Sequence, residues 1–398
     1  MVKQGSNGRL DITRPRRLLL CLDGVPHKLI EAARHRGLFD AFGPPTRLLS
    51  PFPTMTNVAL SAMFGATPPA GYESLYFDRK AGELRGGIRK YVGRRTPDKI
   101  PSSYMDDLDY QEPLPFEFLI YVAPEKIWRA DMQKFRERFR AAPPNRDYFA
   151  FLKATDGLLH SQGPARLAVA LESLDKILRE IRTHCGSETE IVMFSDHGMN
   201  LEENQRVPLQ SELKRRGFDV VIPAFGLCSY VAVYCRDEQR IPEVARASAE
   251  VTGVYFAIYR DGSEVVIESD RGQACIRSQG EGLQYVTATG DPLELGRFEQ
   301  GFKTDKEWFL ETAGHKYPDA VPNLYKSLFT PRVQHTADIL ISLKDGFYYG
   351  WSPFGRFVRL YATHGNALQS SSNAFLMSTH RELPKFVRAD DAKVLLRG

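Results

Sequence analysis

The chain has few of the features that mark secreted, membrane-spanning and repetitive proteins. Its 398 residues include only five cysteines, an odd number at wide spacings, and no C-x-x-C pair. This excludes a disulfide framework or a cysteine-ligated structural zinc, and reduced thiols favour a cytoplasmic protein. The basic N-terminus is followed by an apolar run of only five residues, LLLCL, and no run reaches the ~18 residues of a membrane helix. We therefore expect a cytoplasmic protein with no membrane partner.

A strong net charge is also missing. The 53 basic and 49 acidic residues leave a formal charge of +4, and apolar residues make up 42% of the chain, as in soluble globular proteins. The densest basic cluster lies at residues 126–140, where apolar residues recur at helical spacing. This pattern indicates an amphipathic helix with a solvated basic face, rather than a nucleic-acid-binding surface. We expect no nucleic-acid partner, and the sequence leaves the oligomeric state open.

Short apolar runs that end in a chemically active side chain recur along the sequence. Each run predicts a buried strand. Four such pairs occur: RLLLCL before Asp23, YFAFLKA before Asp156, EIVMFS before Asp196 and RFVRLY (residues 356–361) before His364. Ligands bind just beyond the carboxyl ends of strands in α/β sheets. We therefore expect these four side chains to meet in one site.

The middle of the chain differs from its two ends. From about residue 208 to 334 the apolar segments are short and alternating, which predicts antiparallel strands. Residues 1–215 and 335–398 are therefore predicted to form a catalytic α/β core, and residues 216–334 an inserted, smaller α+β cap that selects the substrate. The alternative is that this segment only extends the core sheet and shields its edge.

Three local motifs carry residues suited to chemistry, although each also has an ordinary structural explanation. Asp156 and His160 are four residues apart at a helix start and can reach one metal ion, but they also suit a helix cap and a surface histidine. Asp196 and His197 are adjacent after a strand, where each can ligate a metal, or simply form a turn. Thr56 begins a predicted helix at 58–64, where free N–H groups favour an anion or need a cap.

The order of these motifs resembles that of the alkaline phosphatase superfamily, most closely its nucleotide pyrophosphatase/phosphodiesterase branch. The resemblance covers roughly residues 17–215 and 335–380. It rests on LDG after the first strand, PTMT followed by SAMFGATPP, D-x-x-x-H-S-x-G-P, SDHGM, and T-H-G near the C-terminus. It implies an alkaline-phosphatase-like central mixed sheet flanked by helices.

The resemblance also implies roles for individual residues. One metal ion would be held by Asp156, His160 and His364, and the other by Asp23, Asp196 and His197. The oxygen of Thr56 would lie at or between the ions as nucleophile, with Thr54 as the alternative. Mixed carboxylate and imidazole ligands suit Zn²⁺, with Mn²⁺ possible.

The phosphate-binding site departs from the family pattern. Members of the phosphodiesterase branch usually carry an Asn some twenty residues after the nucleophile, whereas residues 71–80 here read GYESLYFDRK. Asn57 is the amide next to the nucleophile, and we take it as the candidate substrate-binding residue.

The predicted function is a metal-dependent phosphoric ester hydrolase acting on a small phosphate or phosphonate ester. Thr56 attacks phosphorus, and the resulting phosphothreonine is then hydrolysed. A phosphonate hydrolase or a phosphotransferase with the same metal set remains open, as does a non-catalytic binding homologue. A sulfatase is disfavoured because the nucleophile region contains no C-x-P-x-R-like sequence.

Overall fold

The apolar runs of the sequence form the centre of a seven-stranded sheet. The computed structural model describes residues 17–87, 103–111, 119–120, 123–143, 146–298, 301–330, 332–350 and 359–397. Its strands are β1 Arg17–Leu22, β2 Thr46–Leu49, β3 Leu75–Asp78, β4 Glu83–Gly86, β5 Tyr110–Gln111, β6 Tyr148–Leu152, β7 Glu190–Phe194, β8 Gln205–Arg206, β9 Val220–Val221, β10 Leu227–Cys228, β11 Tyr230–Cys235, β12 Val254–Asp261, β13 Glu264–Ser269, β14 Gly272–Gln279, β15 Gly282–Gly290, β16 Lys303–Thr304, β17 Ile339–Leu343, β18 Phe347–Gly350, β19 Asn373–Ser378 and β20 Phe386–Arg388.

Helices cover both faces of this sheet. The α-helices are α1 His27–His35, α2 Thr56–Phe64, α3 Pro124–Ala141, α4 Ala154–Gln162, α5 Pro164–Cys185, α6 Leu209–Arg215, α7 Ile241–Ala249, α8 Asp305–Thr312, α9 Ala320–Phe329, α10 Gln369–Ser372 and α11 Ala392–Arg397. Short 3₁₀ turns occur at Tyr104–Asp107, Glu238–Arg240, Gly296–Phe298 and Ala389–Asp391. No helix among the described residues combines the length and the apolar character needed to cross a bilayer.

The central sheet is mixed, with the order β20-β2-β19-β7-β1-β6-β5. The four strands β7, β1, β6 and β5 run parallel, whereas β19 is antiparallel to both of its neighbours. All six residues of β1 are buried, because strands of a parallel sheet are covered on both faces. The predicted α/β fold with a central mixed sheet flanked by helices is thus confirmed.

Alternation along β1 divides its side chains between two apolar layers. Leu18 and Leu20 pack in the layer that contains α1, α3 and α5, and Leu19 and Cys21 pack in the layer that contains α2 and α11. Successive side chains of a strand point to opposite faces. Each fully buried leucine contributes about 1.5–3 kcal/mol of transfer free energy, so both layers hold β1, and the residue after it, in place.

The long helices match the sequence patterns. Helix α5 begins at Pro164, a residue type that suits a first turn, and its apolar stripe is buried. The basic segment forms α3, with Trp128, Met132 and Phe135 buried and Arg129 and Arg138 exposed. The amphipathic helix with a basic outer face is therefore confirmed.

A second, antiparallel sheet of eight strands forms from the middle of the chain, in the order β16-β15-β14-β13-β12-β17-β11-β9. Its strands run from residue 220 to residue 343. The sheet therefore extends past the expected boundary at 334, because β17 pairs with β11 and β12 rather than with the central sheet. The role of residues 216–334 in selecting a substrate stays a prediction.

Two local expectations need correction. The strand expected at residues 356–361 is absent at 359–361, and residues 351–358 lie outside the described part of the chain. The backbone before His364 instead makes an isolated bridge between Asn200 and Thr363. The strand expected over residues 148–154 ends at Leu152, and α4 then begins, so that Asp156 and His160 lie on the helix itself.

Candidate metal centre and nucleophile

Adjacent parallel strands place two carboxylates side by side. In β1 and β7, Cys21 lies opposite Phe194, so Asp23 and Asp196 leave the sheet at the same edge. Both carboxylates are buried, at 1% and 0% exposure. The sequence explains why Asp23 and Asp196 lie close together, since both residues come just after apolar runs that form neighbouring strands.

The other neighbour of β1 supplies the next two side chains. Strand β6 leads directly into α4, which carries Asp156 in its first turn and His160 one turn later. Residues four apart lie on one face of a helix, and the Nε2 atom of His160 is 3.3 Å from Asp156 Oδ1. The D-x-x-x-H spacing therefore places both side chains toward the same edge of the sheet.

The three predicted histidines converge on this edge. The imidazole of His364 stacks on that of His197, with ring centroids 3.9 Å apart, and lies 5.4 Å from the ring of His160. All three rings are buried. The structure thus brings together the six side chains that the sequence proposes as metal ligands.

Each of these imidazoles is oriented by a backbone carbonyl. The Nδ1 atom of His160 is 2.7 Å from the oxygen of Ala362, and that of His197 is 3.0 Å from the oxygen of Gly198. The Nδ1 atom of His364 is likewise 2.9 Å from the oxygen of Thr54. A carbonyl oxygen can only accept, so each Nδ1 carries a proton, and in a neutral imidazole the Nε2 atom then presents a lone pair. This is the second-shell arrangement typical of metal-binding histidines.

These lone pairs face carboxylate oxygens. His197 Nε2 lies 3.6 Å from Asp23 Oδ1 and 3.2 Å from Asp196 Oδ2. His364 Nε2 lies 3.6 Å from Asp156 Oδ1. Two of these buried oxygens, Asp156 Oδ1 and Asp196 Oδ2, accept no hydrogen bond from the described residues.

A cation held between buried acceptors that face one another would offset the cost of burying them. Two sets of ligand atoms lie within 4.8 Å of one another, namely Asp23, Asp196 and His197, and Asp156, His197 and His364. These carboxylate and imidazole donors fit divalent ions such as zinc.

The electrostatics favour the protonation states that a metal needs at four of the ligands, whereas for His160 burial acts to lower the pKa but the neighbouring Asp156 raises it above its ordinary value. Burial lowers the pKa of His197 to about 4, and burial together with the neighbouring His197 lowers the pKa of His364 to about 3. Burial raises the pKa of Asp196 to about 6. Burial acts to raise the pKa of Asp156 as well, but the adjacent imidazoles, above all His160, hold it below its ordinary value. At neutral pH both carboxylates are therefore ionised, and His197 and His364 are neutral.

Thr56 lies against this cluster. It is the first residue of α2, and its Oγ1 atom is 3.3 Å from Asp23 Oδ1 and 3.2 Å from His197 Nε2. The first N–H groups of a helix have no intrahelical partner and favour negative charge. The hydroxyl thus lies where an anionic phosphate and a metal ion could both be held.

The alternative nucleophile, Thr54, faces away from the carboxylates. It is fully buried, and its hydroxyl donates to the oxygen of Asn366 and accepts from the N–H of Gly365. Asn57, the candidate substrate-binding residue, accepts a 2.9 Å hydrogen bond from the Tyr104 hydroxyl through its Oδ1. This bond holds the amide next to Thr56.

Sequence reasoning missed a further contribution, that of Gly24. Its N–H donates to Asp196 Oδ1 at 3.0 Å, and its backbone has a φ of +67°. A Cβ atom there would lie 2.6 Å from Met199 Cε and 2.9 Å from Asp156 Oδ1. The Asp-Gly pair was visible in the sequence as part of the LDG motif, but nothing in the sequence shows which side chains approach the glycine.

Comparison with known proteins identifies the family of the chain. The profile of the family described as type I phosphodiesterase / nucleotide pyrophosphatase matches residues 59–272, more than half of the chain. A search of curated proteins by sequence finds no match.

Solved structures share the fold. The chain superposes on phosphonoacetate hydrolase from Sinorhizobium meliloti 1021, in complex with phosphonoformate, with a TM-score of 0.53 and 16% identity, covering 96% of this chain and 95% of that one. It superposes on murine ectonucleotide pyrophosphatase / phosphodiesterase 5 with a TM-score of 0.51 and 13% identity, covering 96% and 94%. The chain therefore belongs to the type I phosphodiesterase / nucleotide pyrophosphatase family of the alkaline phosphatase superfamily, whose enzymes hydrolyse phosphoric ester bonds.

Proposed function

We propose that the protein is a two-metal hydrolase of small phosphate or phosphonate esters that uses Thr56 as its nucleophile. The observation that carries this proposal is the position of the Thr56 hydroxyl, within 3.3 Å of both Asp23 Oδ1 and His197 Nε2 at the edge of the buried ligand cluster. The metal-dependent hydrolases of this superfamily provide the reaction class.

The two proposed ion sites are adjacent, and His197 lies next to both. Asp23, Asp196 and His197 would hold one ion, and Asp156, His160 and His364 the other. His197 belongs to both groups of converging ligand atoms, which supports two neighbouring ions. When bound, two zinc or manganese ions would lower the pKa of a coordinated hydroxyl and stabilise the entering and leaving oxygens of an in-line displacement.

The chain itself supplies the nucleophile and the binding of the phosphate. Thr56 Oγ1 loses its proton to solvent and forms a bond to phosphorus while the bond from phosphorus to the leaving oxygen breaks, and the leaving alkoxide takes up a proton from solvent. Water then cleaves the phosphothreonine and regenerates the hydroxyl. The N–H groups at the start of α2 stabilise the charge on the non-bridging oxygens. Asn57 Nδ2 binds one of these oxygens, since Tyr104 holds its Oδ1.

A solved relative adds support for a threonine nucleophile. An inactive threonine-to-alanine variant of murine ectonucleotide pyrophosphatase / phosphodiesterase 5 has been crystallised in complex with AMP, and the chain superposes on it with a TM-score of 0.50 and 13% identity. We transfer from it only the expectation that a threonine hydroxyl and a phosphate group meet in the site.

We also propose a cytoplasmic setting for this activity. All five cysteines are free thiols, and three of them, Cys21, Cys228 and Cys235, are buried. A reducing compartment preserves such thiols.

The proposed function is tested with chromogenic phosphate monoesters, phosphate diesters and phosphonate esters, each assayed with Zn²⁺ or Mn²⁺. We expect turnover of at least one ester class that chelation abolishes. Thr56→Ala should lower turnover by at least ~10³-fold while both ions stay bound, because six ligands remain. Thr183→Ala, on the exposed surface of α5, should leave the rate unchanged.

A second readout separates catalysis from binding. Acid quenching during turnover, followed by mass spectrometry, should find a phosphoryl adduct on the peptide that contains Thr56. A protein that binds two ions but shows neither turnover nor adduct would be a non-catalytic binding homologue. Transfer of the group to an added alcohol faster than to water would instead favour a phosphotransferase.

A further inference from the structure

Thr54, two residues before the proposed nucleophile, makes all of its polar contacts with one short loop, residues 364–366. Its N–H donates to the oxygen of Gly365 at 3.2 Å, and its carbonyl oxygen lies 2.9 Å from His364 Nδ1. Its hydroxyl accepts from the N–H of Gly365 at 2.9 Å and donates to the oxygen of Asn366 at 3.2 Å. Four hydrogen bonds thus join one buried residue to a loop that lies about 310 residues further along the chain.

The loop that receives these bonds has little regular structure of its own. Residues 359–362 form no strand, and Thr363 makes only an isolated bridge. Gly365 has a φ of +125°, and a Cβ atom there would lie 2.8 Å from Tyr230 Cδ1. The position of the loop therefore depends on tertiary hydrogen bonds. Thr54 makes four of them, and Ser229 makes two, one from its N–H to the oxygen of His364 and one from the N–H of Asn366 to its hydroxyl.

The contact with His364 has a chemical consequence. The carbonyl of Thr54 keeps the proton of His364 on Nδ1, which leaves the Nε2 lone pair directed at Asp156 Oδ1, 3.6 Å away. The two hydrogen bonds of the Thr54 hydroxyl fix Gly365 and Asn366, the residues that follow His364. They therefore also fix how deeply the imidazole of His364 enters the cluster. The same segment then continues to Thr56, which ties the nucleophile to the histidine loop.

We infer that Thr54 is a positioning residue that sets the orientation of His364, and with it the affinity for the ion at Asp156. The inference rests on the proposed two-metal function. It gives Thr54 a role distinct from that of a nucleophile, because its hydroxyl has both its donor and an acceptor site engaged by the loop.

The test is a metal titration with Thr54→Val, which keeps the β-branched shape but removes the hydroxyl. We expect one of the two ions to bind about 10–100-fold more weakly, as for the loss of an outer-shell partner, and the other to bind as in the wild type. Thr54→Ser, which keeps the hydroxyl, should restore the affinity to within about threefold. Thr46→Val is the matched control, because Thr46 is also buried and its hydroxyl bonds the distant Pro384 oxygen, away from the cluster.

Each outcome separates the inference from the proposed function. A wild-type protein that binds no divalent ion overturns both. A wild type with two ions and a Thr54→Val variant with the same two affinities overturns the inference alone. Thr54→Ala, which removes the hydroxyl without adding apolar volume, replaces the valine variant if that does not fold. If neither folds while Thr46→Val does, the role of Thr54 lies in folding, and the inference is wrong.

Discussion

Gly24 lies where two of the proposed metal ligands, Asp156 and Asp196, approach the backbone. Its N–H bonds Asp196, and its Cα faces Asp156 and Met199. A side chain at this position would meet both neighbours. At the scale of single residues, the site therefore depends on a group that carries no chemistry of its own.

Gly24→Ala should abolish the binding of both ions, since the new Cβ atom would lie 2.9 Å from Asp156 Oδ1. Gly37→Ala is the matched control, because Gly37 also has a positive φ, +82°, and a Cβ atom added there would meet no heavy atom within 4 Å. Both variants carry the backbone strain of about 1 kcal/mol. Isothermal titration calorimetry with Zn²⁺ measures the metal affinity of each variant. Equal affinities for the Gly24→Ala and Gly37→Ala variants would contradict the prediction.

Asp131, on α3, is a buried acid outside the metal cluster. Burial raises the pKa of its carboxyl to about 7, although the Tyr110 hydroxyl donates a hydrogen bond to it. An unfolded Asp has a pKa of about 4. Between about pH 4 and 7 the folded state holds a proton that the unfolded state has lost, so this group makes the free energy of unfolding fall as the pH rises.

Asp131→Asn keeps the acceptor but removes the charge. The variant should gain about 2–4 kcal/mol of stability relative to the wild type at pH 8, and lose most of that gain by pH 4. Urea denaturation at both pH values measures the difference, with the exposed Asp261→Asn as control. A stability difference that does not change with pH would count against a proton held on Asp131.

At the scale of secondary structure, α4 carries two proposed ligands of one ion, Asp156 and His160. Between them lies Gly157, whose position would bring a Cβ atom to 2.3 Å from Ile120 Cγ1. The helix can approach the segment containing Ile120 only because this residue has no side chain. The location of both ligands thus depends on how closely one helix packs.

Gly157→Ala tests this packing. On a solvent-exposed helix the substitution stabilises the protein by about 1 kcal/mol. Here we expect a loss of stability and weaker binding of the ion at Asp156, since the helix must move outward. Adding Ile120→Ala should restore both, with a coupling energy of about 1–3 kcal/mol. Thermal unfolding and metal titration of the two single variants and the double variant measure it. Additive effects would show that the two side chains do not compete for this space.

At the scale of the whole molecule, two sheets meet around the site. The central sheet supplies Asp23, Asp156 and Asp196 from the ends of its strands or from the helix that follows. The residue that links β10 to β11, a strand of the antiparallel sheet, is Ser229, whose N–H donates to the oxygen of His364. The second sheet therefore supports the loop of one proposed ligand, which is compatible with a cap and with a purely structural role.

The free thiols lead to a prediction for the complete protein. A mild phosphine reductant that does not chelate zinc should leave both the rate and the melting temperature unchanged, because all five cysteines are unpaired. Rate and melting temperature are measured with and without reductant at constant free Zn²⁺. Loss of activity at unchanged metal content would argue against a cytoplasmic setting.

Much of the site could be predicted because its residues follow strong local signals. Asp23 and Asp196 come after buried apolar runs, and Asp156 and His160 have the spacing of one helical face. The family order of the motifs then added Thr56 and His364. His364 was nevertheless expected after a strand, and the described residues before it form none, because apolar alternation over a few residues does not decide whether a strand finds a partner.

Local patterns in the residues were enough to predict the mixed α/β core, the set of converging side chains and the family. The tertiary structure settles which threonine contacts a carboxylate, since Thr54 and Thr56 differ in which segment each contacts rather than in local pattern. It also decided the tautomers of the three histidines and the need for Gly24. The partners involved are backbone carbonyls and close approaches between segments distant along the chain, and these leave no mark on the identity of the residues that provide them.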